Sequence, residues 1–208
     1  GGGRIFILVD ASASMLGNHV VDIIRRRNLP DNVKVRAAKW QQAVSTADWL
    51  TTQIPRSSRF QIYTFNTAAS PVVAGTDGQW LDGGDREVLE RAMEGLRQVV
   101  PGDGTSLYNG LAAVQSMQPR PDNLILLVDV YHEFSHPVTM LKGMRDSLRP
   151  EGVIVLVEFR AEDPKVPIKL LHKMSKEQIL KELPANGFKL VKDYDKLPWQ
   201  HMMFFGRE

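Results

Sequence analysis

Four stretches of this chain are largely apolar and end abruptly at polar or turn-forming residues: 5–9, 60–65, 124–130 and 153–159. Short apolar runs bounded in this way predict strands buried on both faces of a parallel sheet. Between them the period changes. Over residues 35–54, Trp40, Ala43, Val44, Ala47, Leu50 and Ile54 recur at the spacing of a helix with one apolar face. Val88, Leu89, Ala92, Met93, Leu96 and Val99 do so again, until Pro101-Gly102-Asp103-Gly104 stops the helix. Residues 20–27 predict a short helix broken at Leu29-Pro30-Asp31, and residues 71–74 a short antiparallel edge strand after the turn Asn66-Thr67-Ala68-Ala69. Pro137 suits the first turn of a helix carrying Val138, Leu141, Met144 and Leu148. Ser175-Lys176-Glu177-Gln178 has the form of a capping box, in which Ser takes a free amide and Gln reaches back, so a helix runs on to about Leu183. Residues 188–194 and 201–205 follow with no helix between them and therefore form a hairpin.

Alternating strands and helices predict a largely parallel sheet with helices on both faces. At 208 residues and 43% hydrophobic, the chain is long enough for one such core, so a single domain spanning 1–208 is expected. Lys and Arg number 26 against 24 Asp and Glu, which argues against a nucleic-acid footprint; Arg25-Arg26-Arg27 reads as a solvated helix face. There is no cysteine, which removes disulfides and thiolate metal sites and fits a reducing, cytoplasmic setting. No apolar run reaches the roughly 20 residues that span a bilayer, and the start lacks a signal-peptide pattern, so no membrane partner is expected.

Two sets of motifs then divide the chain. Phe6-Ile7-Leu8-Val9-Asp10-Ala11-Ser12-Ala13-Ser14-Met15 and Gly102-Asp103-Gly104-Thr105-Ser106-Leu107-Tyr108 resemble a von Willebrand factor A domain with its metal-ion-dependent adhesion site. Downstream, Asp129-Val130-Tyr131-His132-Glu133-Phe134-Ser135-His136-Pro137, Leu156-Val157-Glu158-Phe159 and Leu197-Pro198-Trp199-Gln200-His201 are similar to the second half of a class I S-adenosylmethionine-dependent methyltransferase. Both families set their first and fourth strands side by side. The double resemblance therefore implies a single doubly wound, Rossmann-like three-layer α/β sandwich, with a mostly parallel seven-stranded sheet in the order three, two, one, four, five, seven, six and strand seven antiparallel. Residues 1–129 form the adhesion-like half and 130–208 the methyltransferase-like half.

The first resemblance implies a divalent-cation site. Ser12 and Ser14 would coordinate magnesium or manganese directly, Thr105 directly or through water, and Asp10 and Asp129 would hold waters. Oxygen donors of this kind suit a hard cation. Such a metal would present an open position to an acidic residue of a protein partner. The competing reading of Ser12 and Ser14 is that they cap the following helix. His132-Glu133-Phe134-Ser135-His136 matches a zinc-protease string, but that chemistry needs both histidines on one helical face, and here the string leaves a strand and meets Pro137.

The second resemblance lacks its cofactor half. Methyltransferases of this class hold the methionine part of S-adenosylmethionine at a Gly-rich turn after strand one and the ribose at an acidic residue after strand two. This chain has Asp10-Ala11-Ser12-Ala13-Ser14 and Phe65-Asn66-Thr67 at those places, so S-adenosylmethionine is not expected. The sequence thus reads as an engineered or recombined chimera without the catalytic activity of either parent, with no catalytic residue assigned. The alternatives are a magnesium-dependent protein-binding module and a surviving methyltransferase.

Overall fold

The computed structural model describes residues 3–17, 20–127, 137–166, 170 and 173–208. Strand β1 (Arg4–Asp10) leads through a short 3-10 turn (Ala13–Leu16) to helices α1 (Val20–Arg27), α2 (Asp31–Lys34) and α3 (Ala38–Thr52). Strands β2 (Arg59–Phe65), β3 (Ala69–Pro71) and β4 (Leu81–Asp82) precede helices α4 (Arg86–Gln98) and α5 (Leu107–Ser116). The second half runs β5 (Asn123–Leu127), α6 (Pro137–Ser147), β6 (Val153–Phe159), α7 (Lys176–Ala185), β7 (Phe188–Tyr194) and β8 (Gln200–Arg207).

Among the described residues these strands make one eight-stranded sheet in the order β3-β2-β1-β5-β6-β8-β7, with β4 also paired to β2. Strands β2, β1, β5 and β6 are parallel, whereas β8 is antiparallel to both β6 and β7. The Rossmann-like three-layer architecture is as the sequence implies. Its order differs in detail from the seven-stranded expectation, because β4 pairs antiparallel with Arg59 and Phe60 at the start of β2. A two-residue strand is too short to carry a period.

Alternation along β1 divides the core. Phe6 and Leu8 join the apolar layer under α5, α6 and α7, and Ile7 and Val9 join the layer under α3 and α4. All four are fully buried, as a central strand covered on both faces requires. Trp40, Val44, Ala47 and Leu50 bury the expected face of α3, and Ala92, Met93 and Leu96 that of α4.

Three local expectations change. The edge strand lies at Ala69–Pro71 rather than 71–74, with Ala69 opposite Phe65 and Pro71 opposite Tyr63. Helix α5 has no counterpart in the sequence reading, although Leu107, Leu111 and Val114, buried together with Gly110, recur at helical spacing. The glycine is there for closeness: a Cβ would sit 3.0 Å from Leu8 Cδ2 and 3.2 Å from Phe65 Cγ. At α7, Ser175 Oγ does accept the Gln178 amide at 3.1 Å, but the Gln178 side chain donates to Glu182 instead of reaching back. Only half of the capping box forms.

Gly95 in α4 closely approaches the backbone just after β3, since a Cβ there would lie 2.1 Å from the Val72 carbonyl oxygen. Backbone cannot move aside as a flexible side chain can. Gly95→Ala is therefore expected to lose about 1–3 kcal/mol in urea unfolding, whereas Gly102→Ala, with nothing within 4 Å of its Cβ, stays close to the parent.

Candidate functional site

The carboxyl end of β1 is built from backbone hydrogen bonds among three loops. Ala11 N–H donates to the Phe65 carbonyl at 2.8 Å, Gly102 N–H to Ala11 at 2.9 Å, and Ala13 N–H to Asp103 at 2.9 Å. To present that carbonyl, Asp103 adopts a left-handed φ of 62°, which aspartate tolerates better than most residues. Ser106 N–H donates to Asn66 at 2.7 Å and Asn109 Nδ2 to the Thr67 carbonyl at 2.7 Å, tying the loop after β2 to the start of α5.

Within this frame Asp10, Ser12 and Ser14 converge. Asp10 Oδ1 accepts the Ser12 amide at 2.8 Å, and the Ser12 and Ser14 hydroxyls lie 2.8 Å apart. Ser12 sits at the N-cap position of the 3-10 turn, yet its side chain makes no capping bond. The helix-cap alternative does not describe Ser12. Asp10 is completely buried. Thr105 is exposed on the loop that Asp103 and Gly102 pin against the β1 loop. Asp129 lies outside the described residues, as do His132, Glu133 and His136. The sequence reading missed Lys39, on the first turn of α3, whose Nζ donates to the Ser14 carbonyl at 3.2 Å. No local signal in the sequence joins Lys39 to Ser14, which are 25 residues apart.

The fit of this donor set to a cation can be tested on its one measured pair. Metal–oxygen bonds of about 2.0–2.1 Å put adjacent oxygens of an octahedron about 2.8–3.0 Å apart. The Ser12–Ser14 separation is that of an ordinary hydroxyl–hydroxyl hydrogen bond and is also compatible with that edge. Among the described residues no group of three or more His, Cys, Asp or Glu is placed to hold a metal, so any site here depends on hydroxyls.

A second polar cluster, also missed, lies beyond β6. His201 is buried on β8, and its Nε2 is 2.9 Å from Glu162 Oε2, while Glu162 Oε1 accepts the Lys176 amide at the start of α7. Lys176 Nζ pairs with Asp193 and Asp195, and Arg160 also reaches Asp195. Burial alone would raise the Glu162 carboxyl; the Lys176 amide and His201 outweigh it and hold the group below the ordinary carboxylate range. The hydrogen bond to Asp193 is the main cause that raises Lys176, and Lys176 in turn lowers Asp195.

No protein-family model matches this chain, and no curated protein matches it. Solved structures do. A SAM-dependent methyltransferase from Aquifex aeolicus aligns over 100% of this chain and 83% of its own, at TM-score 0.51 and 9% identity. A von Willebrand factor type A protein from Catenulispora acidiphila aligns over 100% of this chain and 58% of its own, at TM-score 0.51 and 12% identity. The structural relatives thus include both of the folds that the motifs resemble, and identities this low establish the fold alone. The expectation that the chain is not an enzyme is corrected by the first of them, because the whole chain adopts an architecture that serves a methyltransferase. Among the described residues no helix is long and apolar enough to cross a membrane.

Glu162 gives the second cluster a pH signature. Its folded pKa is depressed, so the stability it contributes is present above its unfolded value of about 4.3 and is lost as pH falls through the folded value. Glu162→Gln is expected to flatten the fall in urea-unfolding stability between about pH 5 and pH 3. An unchanged acid slope in the variant contradicts this.

Proposed function

We propose that this chain is a single α/β domain whose β1 crevice binds a divalent cation, magnesium or manganese, and offers it to an acidic residue of a protein partner. The reading rests on the Ser12–Ser14 hydroxyl pair, spaced as neighbouring ligands and held beside the buried Asp10 carboxylate. Ser12 and Ser14 would hold the metal, with Thr105 on the adjoining loop and Asp10 and Asp129 supplying counter-charge through waters. Bound there, the cation would act as a Lewis acid toward a partner carboxylate. The chain's own part is positional: Asp10 orients the Ser12 backbone, and the Ala13 to Asp103 bond keeps the two loops in register. Binding is expected to be weak, because serine and threonine are neutral donors.

We further propose that the two likenesses divide along the chain, 1–129 following the adhesion-domain pattern and 130–208 the methyltransferase pattern, within one domain. A second reading, a methyltransferase, is supported by the β6-β8-β7 ending with its antiparallel β8, in a fold shared over the whole chain with such an enzyme.

Calorimetry with magnesium and manganese, alongside melting curves with S-adenosylmethionine, separates the readings. The wild-type chain is expected to bind either metal in the millimolar range, and Asp10→Asn, which keeps an acceptor for Ser12 N–H but removes the charge, to lose at least about tenfold in affinity. Undiminished binding in Asp10→Asn, or none in the wild type, overturns the cation site. A rise in melting temperature with S-adenosylmethionine, together with methyl transfer to an acceptor, favours the second reading.

A further inference from the structure

The two faces of the sheet are covered unequally. Helices α5, α6 and α7 pack across one apolar layer, whereas only α3 and α4 pack on the other among the described residues. Beside α3 this leaves a cleft of about 360 Å³, floored by Ile125, Val155 and Met202 and walled by Trp49, Tyr194 and Phe204. Its volume and apolar, aromatic lining are those of a small-molecule site. The Trp49 and Tyr194 rings are 6.5 Å apart and inclined at 31°, so they flank the cleft without stacking shut.

One permanent charge stands at the exposed edge of this apolar space. Lys192 is the single Lys, Arg, Asp or Glu of the lining, its Nζ lies 5.5 Å from the Phe204 ring centroid, and among the described residues it has no carboxylate partner. A bulge puts it there. Leu190 pairs with Phe205, which belongs to the opposite apolar layer, but the register shifts between Leu190 and Lys192, so that Lys192 pairs with Phe204 and Tyr194 with Met202. In an unshifted register, Lys192 would stand opposite Met203 and face the α7 side. The irregularity therefore brings both a cation and an aromatic ring onto the cleft face.

We infer that this cleft binds a small amphiphilic anion, a carboxylate with an apolar tail, the tail lying on Ile125, Val155 and Met202 and the head group meeting Lys192. Lys192 is exposed at the edge of the cleft, and its ammonium favours an anionic head group there, which it meets with a charge-assisted hydrogen bond. A second copy of the chain fits less well through α1, where exposed Val20, Val21 and Ile24 cluster, because Arg25, Arg26 and Arg27 follow them and would bring like charges to Lys192.

Titration with dodecanoate below its micellar concentration, followed by Trp fluorescence and calorimetry and compared with dodecanol, tests the proposal. Wild-type protein is expected to bind dodecanoate at least about tenfold more tightly than dodecanol. Lys192→Glu removes that preference and leaves dodecanol binding in place, and Gln53→Trp, on the exposed rim, blocks both ligands while circular dichroism stays native. Absence of dodecanoate binding, equal affinity for acid and alcohol, or an unchanged preference in Lys192→Glu overturns it. So does sedimentation showing a wild-type dimer that Gln53→Trp dissolves, which assigns the face to a second copy.

Discussion

Parallel pairing of β1 with β5, from Ile5 opposite Asn123 to Val9 opposite Leu127, carries the rest of the molecule. Chain order reverses at this seam: β2 and β3 extend to one side of β1, and β6, β8 and β7 to the far side of β5. The seam is stitched at its amino end by Asp122. Its carboxylate accepts the Arg4 amide at 2.7 Å, its own amide donates back to the Arg4 carbonyl at 2.9 Å, and its carbonyl accepts the Val153 amide at 2.8 Å. One residue thus registers β1, β5 and β6 together. Ligands of doubly wound sheets bind in the crevice beyond the carboxyl ends of the strands at such a reversal.

How that crevice is furnished decides what it can hold. A cofactor that lies along backbone needs room, which glycine gives, whereas here the β1 loop is already engaged by Phe65, Gly102 and Asp103 through main-chain hydrogen bonds. Those bonds engage the amides of Ala11 and Ala13, while the Ser12 and Ser14 hydroxyls bond to each other. The proposed cation site draws on the side-chain oxygens of that loop, and the fold shared with a methyltransferase is one that hosts unrelated sites.

The far half of the sheet answers to a different constraint. β8 enters between β6 and β7 and is antiparallel to both, so the chain arrives there through a hairpin and not through a crossover helix. On the α5, α6, α7 side, Phe188, Met203 and Phe205 are fully buried, while on the α3 side Tyr194 and Phe204 are only partly covered. The ion-pair cluster of Glu162, Lys176, Asp193 and Asp195 fastens the hairpin to α7 and to the loop after β6. Its exposed pairs add little stability individually, and their effect is mainly to hold register.

Apolar period alone determined the central strands and the faces of α3 and α4 and, apart from the exposed Val138, that of α6, because a buried run or a helical stripe is a property of neighbouring residues. The Ser175 cap was legible for the same reason, as were Asp10, Ser12 and Ser14, which occupy one short loop. Tertiary structure decided the rest. The seat of α5 on the sheet is set by the fit of Gly110 against Leu8 and Phe65, β4 by pairing across more than 20 residues, and the Glu162–His201 bond by groups 39 residues apart. Burial of Asp10 depends on three loops closing over it, and the aim of Lys192 depends on the register shift between Leu190 and itself. In each case the deciding energy comes from contacts between distant segments, which no local pattern encodes.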